Sequence, residues 1–332
     1  MVLSPVQLRR ELSRAGIANA AIDAVWPQWW SADAAASTSA TVELTYTVAR
    51  RLGLSPRALF DGSAQFLWRD DTKFKNLGTT SEHDRAVLAA FGIAIGKCAV
   101  GATKPASTAI LPDAATLRAT ILGQGRLVDA FELLTFCWSF GIPVIQLKFF
   151  PLRQKRMHAM TVRAGQQYVI LLGFESKYYA RVAYIIAHEI AHILLGHLAG
   201  ENSLLDIDDP LVEGNPDDEE ASADRLALQL LTGSENLSIA ANTSSYTARQ
   251  LAEAALNEAQ VEKIDPGVLA LCLGHATGKW QQSVGALKII PPGEQDVGAT
   301  INGIATSQFD WQALSYSNHE YLARIVGRVD GT

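Results

Sequence analysis

One stretch of this 332-residue chain restricts its folding options more than any other: Ala187-His188-Glu189-Ile190-Ala191-His192-Ile193-Leu194-Leu195-Gly196-His197. It sets an HExxH pattern inside a strongly helix-forming apolar run. On an α-helix, residues four apart lie one above the other on one face, so His188 and His192 can aim two imidazole nitrogens at one metal ion. Glu189 projects about 100° around the helix from His188. That placement suits a carboxylate that acts on a water molecule at the ion without ligating the ion itself. Zinc brings the pKa of such a water down to about 7. The spacing therefore predicts a helix that carries half of a Zn2+ site, with Glu189 as general base for amide hydrolysis.

A catalytic zinc usually takes three protein ligands and keeps one position open, so a third ligand must come from elsewhere. His197 lies nine residues past His188, on the opposite side of a straight helix. The metzincin pattern places its third histidine ten residues after the first, beyond an internal glycine, whereas Gly196 here directly precedes the histidine. A better source is Glu219-Glu220-Ala221-Ser222-Ala223-Asp224-Arg225-Leu226-Ala227-Leu228-Gln229-Leu230-Leu231. Its apolar residues at 223, 226, 227, 230 and 231 follow helical spacing. Glu220 and Asp224 share one face, so Glu220 can bind the ion while Asp224 hydrogen-bonds the remaining nitrogen of a ligand histidine. Glu219 is the alternative register.

HExxH followed by a downstream ExxxD helix resembles gluzincin-type metallopeptidases, and the whole arrangement looks like the ImmA/IrrE family. The second motif of that family runs approximately E-x-E-A-N-x-F-A-x-x-L-L. Glu220, Ala223, Asp224, Ala227, Leu230 and Leu231 fit it, while Ser222 and Leu226 depart. The resemblance covers roughly residues 115–235, taking in Cys137-Trp138-Ser139-Phe140-Gly141-Ile142-Pro143-Val144-Ile145 and Tyr168-Val169-Ile170-Leu171-Leu172. It implies a zinc metalloendopeptidase acting on a protein substrate, often a helix-turn-helix repressor whose cleavage switches on stress or mobile-element genes. Two other classes stay open: a non-catalytic, metal-binding transcriptional regulator, and a toxin-antitoxin or defence component.

Composition bounds the rest. The chain is 48% hydrophobic and 19% charged, enough for two or three domains with a sizeable core. Its longest apolar segment, 182–195, is interrupted by His188, Glu189 and His192 and is too short to span a bilayer. The N-terminal residues lack the apolar region and small-residue cleavage site of a signal peptide, so the expectation is a cytoplasmic protein with no membrane partner. Three well-separated cysteines, Cys98, Cys137 and Cys272, read as reduced core thiols. A net charge of −6 offers no global attraction for nucleic acid.

The predicted class is α+β, mainly helical, with a small zincin-like sheet packed on the HExxH helix and an N-terminal helical domain. Residues 1–62 read as short helices, with Ser55 as an N-cap and Pro56 in a first turn. Part of this region, Val48 to Phe60, resembles the later half of an Xre-like helix-turn-helix. Six basic residues against four acids over 1–60 give a small excess for DNA binding, so DNA partner and structural bundle both stand. Residues 63–114 read as a helical connector, 115–289 as the zinc metallopeptidase domain, and 290–332 as a C-terminal segment of no assigned role. Strands are expected at 144–150, 160–163 and 168–172, with Gly165 in a tight hairpin. A basic block, 148–181, and an acidic block, 206–220, flank the motif and are expected to be solvated loops or to contact one another across the cleft. For the oxyanion of a tetrahedral intermediate the candidates are His158 and Tyr184.

Overall fold

The computed structural model describes residues 3–67, 72–75, 81–104, 110–152, 157–198, 203–206, 218–236 and 245–328, with 72–75 and 203–206 described by their backbone. The N-terminal third holds α1 (Pro5–Arg14), α2 (Asn19–Val25), α3 (Thr38–Leu52), α4 (Pro56–Phe60), β1 (Thr72–Lys75) and α5 (Glu82–Gly101). Next come α6 (Ala114–Gly123), α7 (Ala130–Ser139), β2 (Val144–Gln146), β3 (Ala159–Ala164), β4 (Gln167–Leu172), α8 (Tyr179–Leu194), β5 (Ser203–Asp206) and α9 (Asp218–Thr232). The chain finishes with α10 (Ala248–Glu262), α11 (Pro266–Thr277), α12 (Trp280–Ile289), α13 (Val297–Gln308) and α14 (Tyr316–Val326). The class is α+β and mainly helical, as the sequence implies. Ser55 caps α4 by accepting the Ala58 amide, and Pro56 opens that helix.

The strands form one mixed sheet in the order β1-β5-β3-β4-β2. β3 and β4 pair antiparallel from Ala159↔Leu172 to Ala164↔Gln167, across a turn where Gly165 takes φ +67°. That left-handed conformation suits glycine, which carries no Cβ to clash. β2 joins β4 in parallel, β5 joins β3 antiparallel, and β1 joins β5 in parallel. Of these, β1 and β5 go beyond the sequence reading. β1 makes the 63–114 segment more than helical, and β5 lies in the stretch between the two motif helices that reads as a loop. On the far side, Asn302 of α13 acts like a neighbouring strand: its amide nitrogen donates to the Gln146 carbonyl and its oxygen accepts the Gln146 N–H, both at 2.9 Å. An otherwise open edge of β2 is thereby covered.

Both faces of the β2–β3–β4 part of the sheet are largely buried, which accounts for the unbroken apolar run at 168–172. Ile170 and Leu172 join the core formed with α7 and α8, and Val169 and Leu171 join the core on the opposite face with α5. Strand alternation thus divides one segment between two hydrophobic clusters. Helix α5 is buried along most of its length, as a helix with apolar residues all around it must be. It lies close enough to the sheet that a Cβ on Gly96 would stand 2.7 Å from Val162 Cγ1.

The C-terminal segment closes on the N-terminal helices. α14 packs against α2 and α5. Arg51 of α3 places Nη2 3.1 Å from Glu320 Oε2 of α14, with the two side chains only 1% and 3% exposed. Arg51 also donates to the carbonyls of Val25 and Ser317, and Tyr321 donates its hydroxyl to the Arg51 carbonyl. This guanidinium is therefore out of reach of a phosphate backbone. Among the described residues, no helix is long and apolar enough to cross a membrane.

Candidate metal centre

The centre is built where α8 packs against α9, and α8 in turn lies on β3 and β4. Helix α9 buries Glu220 together with Ala223, Ala227, Leu230 and Leu231, four of the five apolar positions expected from its spacing, and Leu226 is half-buried. Arg118 of α6 holds the far end of α9 by donating to the carbonyls of Leu230 and Leu231, and it reaches the end of α10 through the Lys263 carbonyl. Cations at the C-terminal carbonyls of a helix satisfy acceptors that the helix leaves unpaired. Burial holds the Arg118 guanidinium below the usual arginine value.

His188, His192 and Glu220 form a buried group that could hold a metal ion, their ligating atoms all within 4.8 Å of one another. His188 Nε2 lies 2.9 Å from His192 Nε2. The Glu220 carboxylate closes the triangle, with Oε2 3.2 Å from His188 Nε2 and Oε1 3.5 Å from His192 Nε2. Donors held at ordinary zinc distances around a tetrahedral ion stand about 3.3–3.5 Å apart, so the three residues fit such an ion with little adjustment. The choice between registers falls to Glu220, which is buried, while Glu219 is half-buried and outside this group.

The outer nitrogens explain why the inner ones converge. His188 Nδ1 is 2.9 Å from Asp224 Oδ1, the contact expected from the Glu220/Asp224 spacing. Tyr184 donates its hydroxyl to the same Asp224 oxygen at 2.8 Å. A carboxylate at Nδ1 keeps the proton of His188 there and leaves the Nε2 lone pair facing Glu220. Two imidazole lone pairs and a carboxylate gathered in a place of 0–3% exposure repel one another unless a cation sits among them.

Glu189 is fully buried one residue after His188 and accepts a hydrogen bond from the Thr161 hydroxyl of β3. Thr161 escapes sequence reasoning, because a lone strand threonine gives no local sign that it faces a helix residue. Its parity with Ala159, which joins the α8-side core, is the available signal. The two candidates for the oxyanion each have another contact. Tyr184 is committed to Asp224, and His158 stacks on Phe174, which in turn lies under Arg181. Arg181 and His188 are separated by about 10 Å of helix at 1.5 Å per residue. His197 stays out of the triad and meets His192 from behind, Nδ1 to Nδ1 at 2.8 Å.

The cysteines are free, and burial pushes the Cys98 and Cys272 thiols up to about 12 and raises Cys137 in the same direction. Such thiols do not ionise near neutrality. Most of the acidic block, 207–217, and three members of the basic block, Arg153, Lys155 and Arg156, lie outside the described residues, while Asp206 pairs with Ala159 through the backbones of β5 and β3. No protein-family model, curated protein or solved structure matches the chain.

Proposed function

We propose that the chain is a zinc-dependent endopeptidase, with His188, His192 and Glu220 holding the metal and Glu189 as general base. The observation that supports it most is the buried convergence of two histidine Nε2 atoms and one carboxylate, beside a second carboxylate, Glu189, on the helix that carries the histidines. When bound, zinc supplies a Lewis acid that activates water and polarises a carbonyl. Glu189 takes a proton at its carboxylate and returns it to the leaving amine. Thr161 holds one Glu189 oxygen, which fixes the direction of the other. Asp224 and Tyr184 keep the His188 ring in the tautomer and orientation that point Nε2 inward. The sheet against α8 is read as the zincin-like support of this helix. By resemblance to ImmA/IrrE enzymes, the substrate is a protein of the helix-turn-helix repressor type and the setting is the cytoplasm.

One observation favours a second reading. His188, Glu189, His192 and Glu220 are all 0–3% exposed, the burial of a centre that holds a metal without turning over substrate. That reading makes the chain a metal-dependent regulator. A peptide library from a digested proteome separates the two: the zinc-loaded full chain is incubated with it and new termini are read by mass spectrometry. The peptidase reading expects new termini that vanish with a chelator and return with zinc. Full zinc occupancy without any cleavage, including of helix-turn-helix proteins supplied intact, would favour the regulator.

A further inference from the structure

We propose that His197 is a positioning residue for the ligand His192, and that Ser222 fixes the proton on His197. The inference rests on the metal-centre reading above. A straight α8 would carry His197 to the far side, but the helix stops at Leu194 and Gly196 takes φ +72°. The left-handed residue turns the chain back on itself, and the His197 N–H donates to the His192 carbonyl at 3.1 Å. The ring is thereby delivered behind the histidine ligand.

The proton assignment follows from the contacts. A neutral imidazole has one donor nitrogen and one acceptor. Of the two Nδ1 atoms 2.8 Å apart, one must give a proton and the other accept it. His192 needs its lone pair at Nε2, the atom that faces His188 and Glu220, so its proton lies at Nδ1 and is donated to His197. His197 then carries its own proton at Nε2, which faces Ser222 Oγ at 3.4 Å. The Ser222 hydroxyl donates to the Glu219 carbonyl at 2.8 Å and keeps its oxygen lone pairs for His197.

Three bonds thus run in one direction from the ligand His192 to the backbone of α9, ending one residue before the ligand Glu220. They join the end of one ligand helix to the start of the other. The two histidine ligands are held by unlike groups: a carboxylate behind His188, and an imidazole behind His192. Ser222, one of the positions at which the chain departs from the resembled motif, is the residue this second arrangement requires. A histidine directly after a helix-ending glycine reads from sequence only as a failed ligand.

The test is zinc affinity of the full chain, measured by competition with a chelator of known affinity, with the thermal melt of each metal-free form alongside. His197→Phe keeps the ring volume and removes the acceptor, and is expected to weaken zinc binding about 10- to 100-fold. His197→Asn, whose amide oxygen can stand in for Nδ1, is expected to recover most of that loss. Ser222→Ala is expected to weaken binding by less than His197→Phe. A purely structural ring would instead lower the metal-free melt and leave the Asn and Phe variants alike. The proposal is overturned if His197→Phe melts normally and binds zinc within about 3-fold of wild type, well short of the expected range. Should His197→Phe not fold, Ser222→Ala decides: weaker zinc supports the chain of bonds and unchanged zinc overturns it. Wild type that binds no zinc overturns the metal centre itself, whereas zinc-binding wild type with indifferent variants overturns only the role of His197.

Discussion

The Glu189→Gln substitution is expected to lower peptide hydrolysis by about 10²- to 10⁴-fold, the range that a positioned general base contributes, while bound zinc stays unchanged. Glutamine keeps the size of the side chain and an oxygen that can accept from the Thr161 hydroxyl, so the surroundings of this fully buried group are preserved. What it loses is the capacity to take a proton. Because the carboxylate stands outside the His188, His192 and Glu220 group, its charge is not needed to hold the ion. Cleavage rate and zinc content measured on one preparation check both halves. Activity retained within about tenfold would remove Glu189 from the general-base role, and loss of zinc would make it a ligand.

The Arg51→Met substitution is expected to lower the free energy of unfolding by about 3–5 kcal/mol, the cost of removing one partner from a buried ion pair. Arg51 and Glu320 are 1% and 3% exposed, and the guanidinium also satisfies two backbone carbonyls. Methionine fills much of the volume but leaves Glu320 with the Gln28 amide and the more exposed Arg324. Urea unfolding reads the loss. Adding Glu320→Gln to Arg51→Met should cost less than the two single changes summed, because the buried charge is then gone. A change below about 1 kcal/mol in Arg51→Met would mean that the join between α3 and α14 contributes little to the fold.

The parts of this molecule that were legible in its sequence are the ones governed by local spacing. His188 and His192, or Glu220 and Asp224, need only a helix to share a face. The hairpin at Gly165 and the cap at Ser55 are equally local. What escaped depends on chain partners far away or on where an element stops. β1 and β5 pair with each other although 131 positions separate Thr72 from Ser203. Arg51 meets Glu320 from the opposite end of the chain. The burial of α5 could be suspected from its apolar circumference, but the sheet that it faces could not. His197 is the sharpest case, because a helix one turn longer would have carried its ring to the opposite side.

The central claim, a zinc held by His188, His192 and Glu220 beside a non-ligating Glu189, is tested most directly by metal content. Plasma mass spectrometry would be run on the purified full chain after zinc loading and desalting, for wild type, His192→Ala, Glu220→Ala and Glu189→Gln. The account predicts about one zinc per chain in wild type and Glu189→Gln, and its loss in the other two. No metal in wild type, or zinc retained at full occupancy by Glu220→Ala, would contradict it.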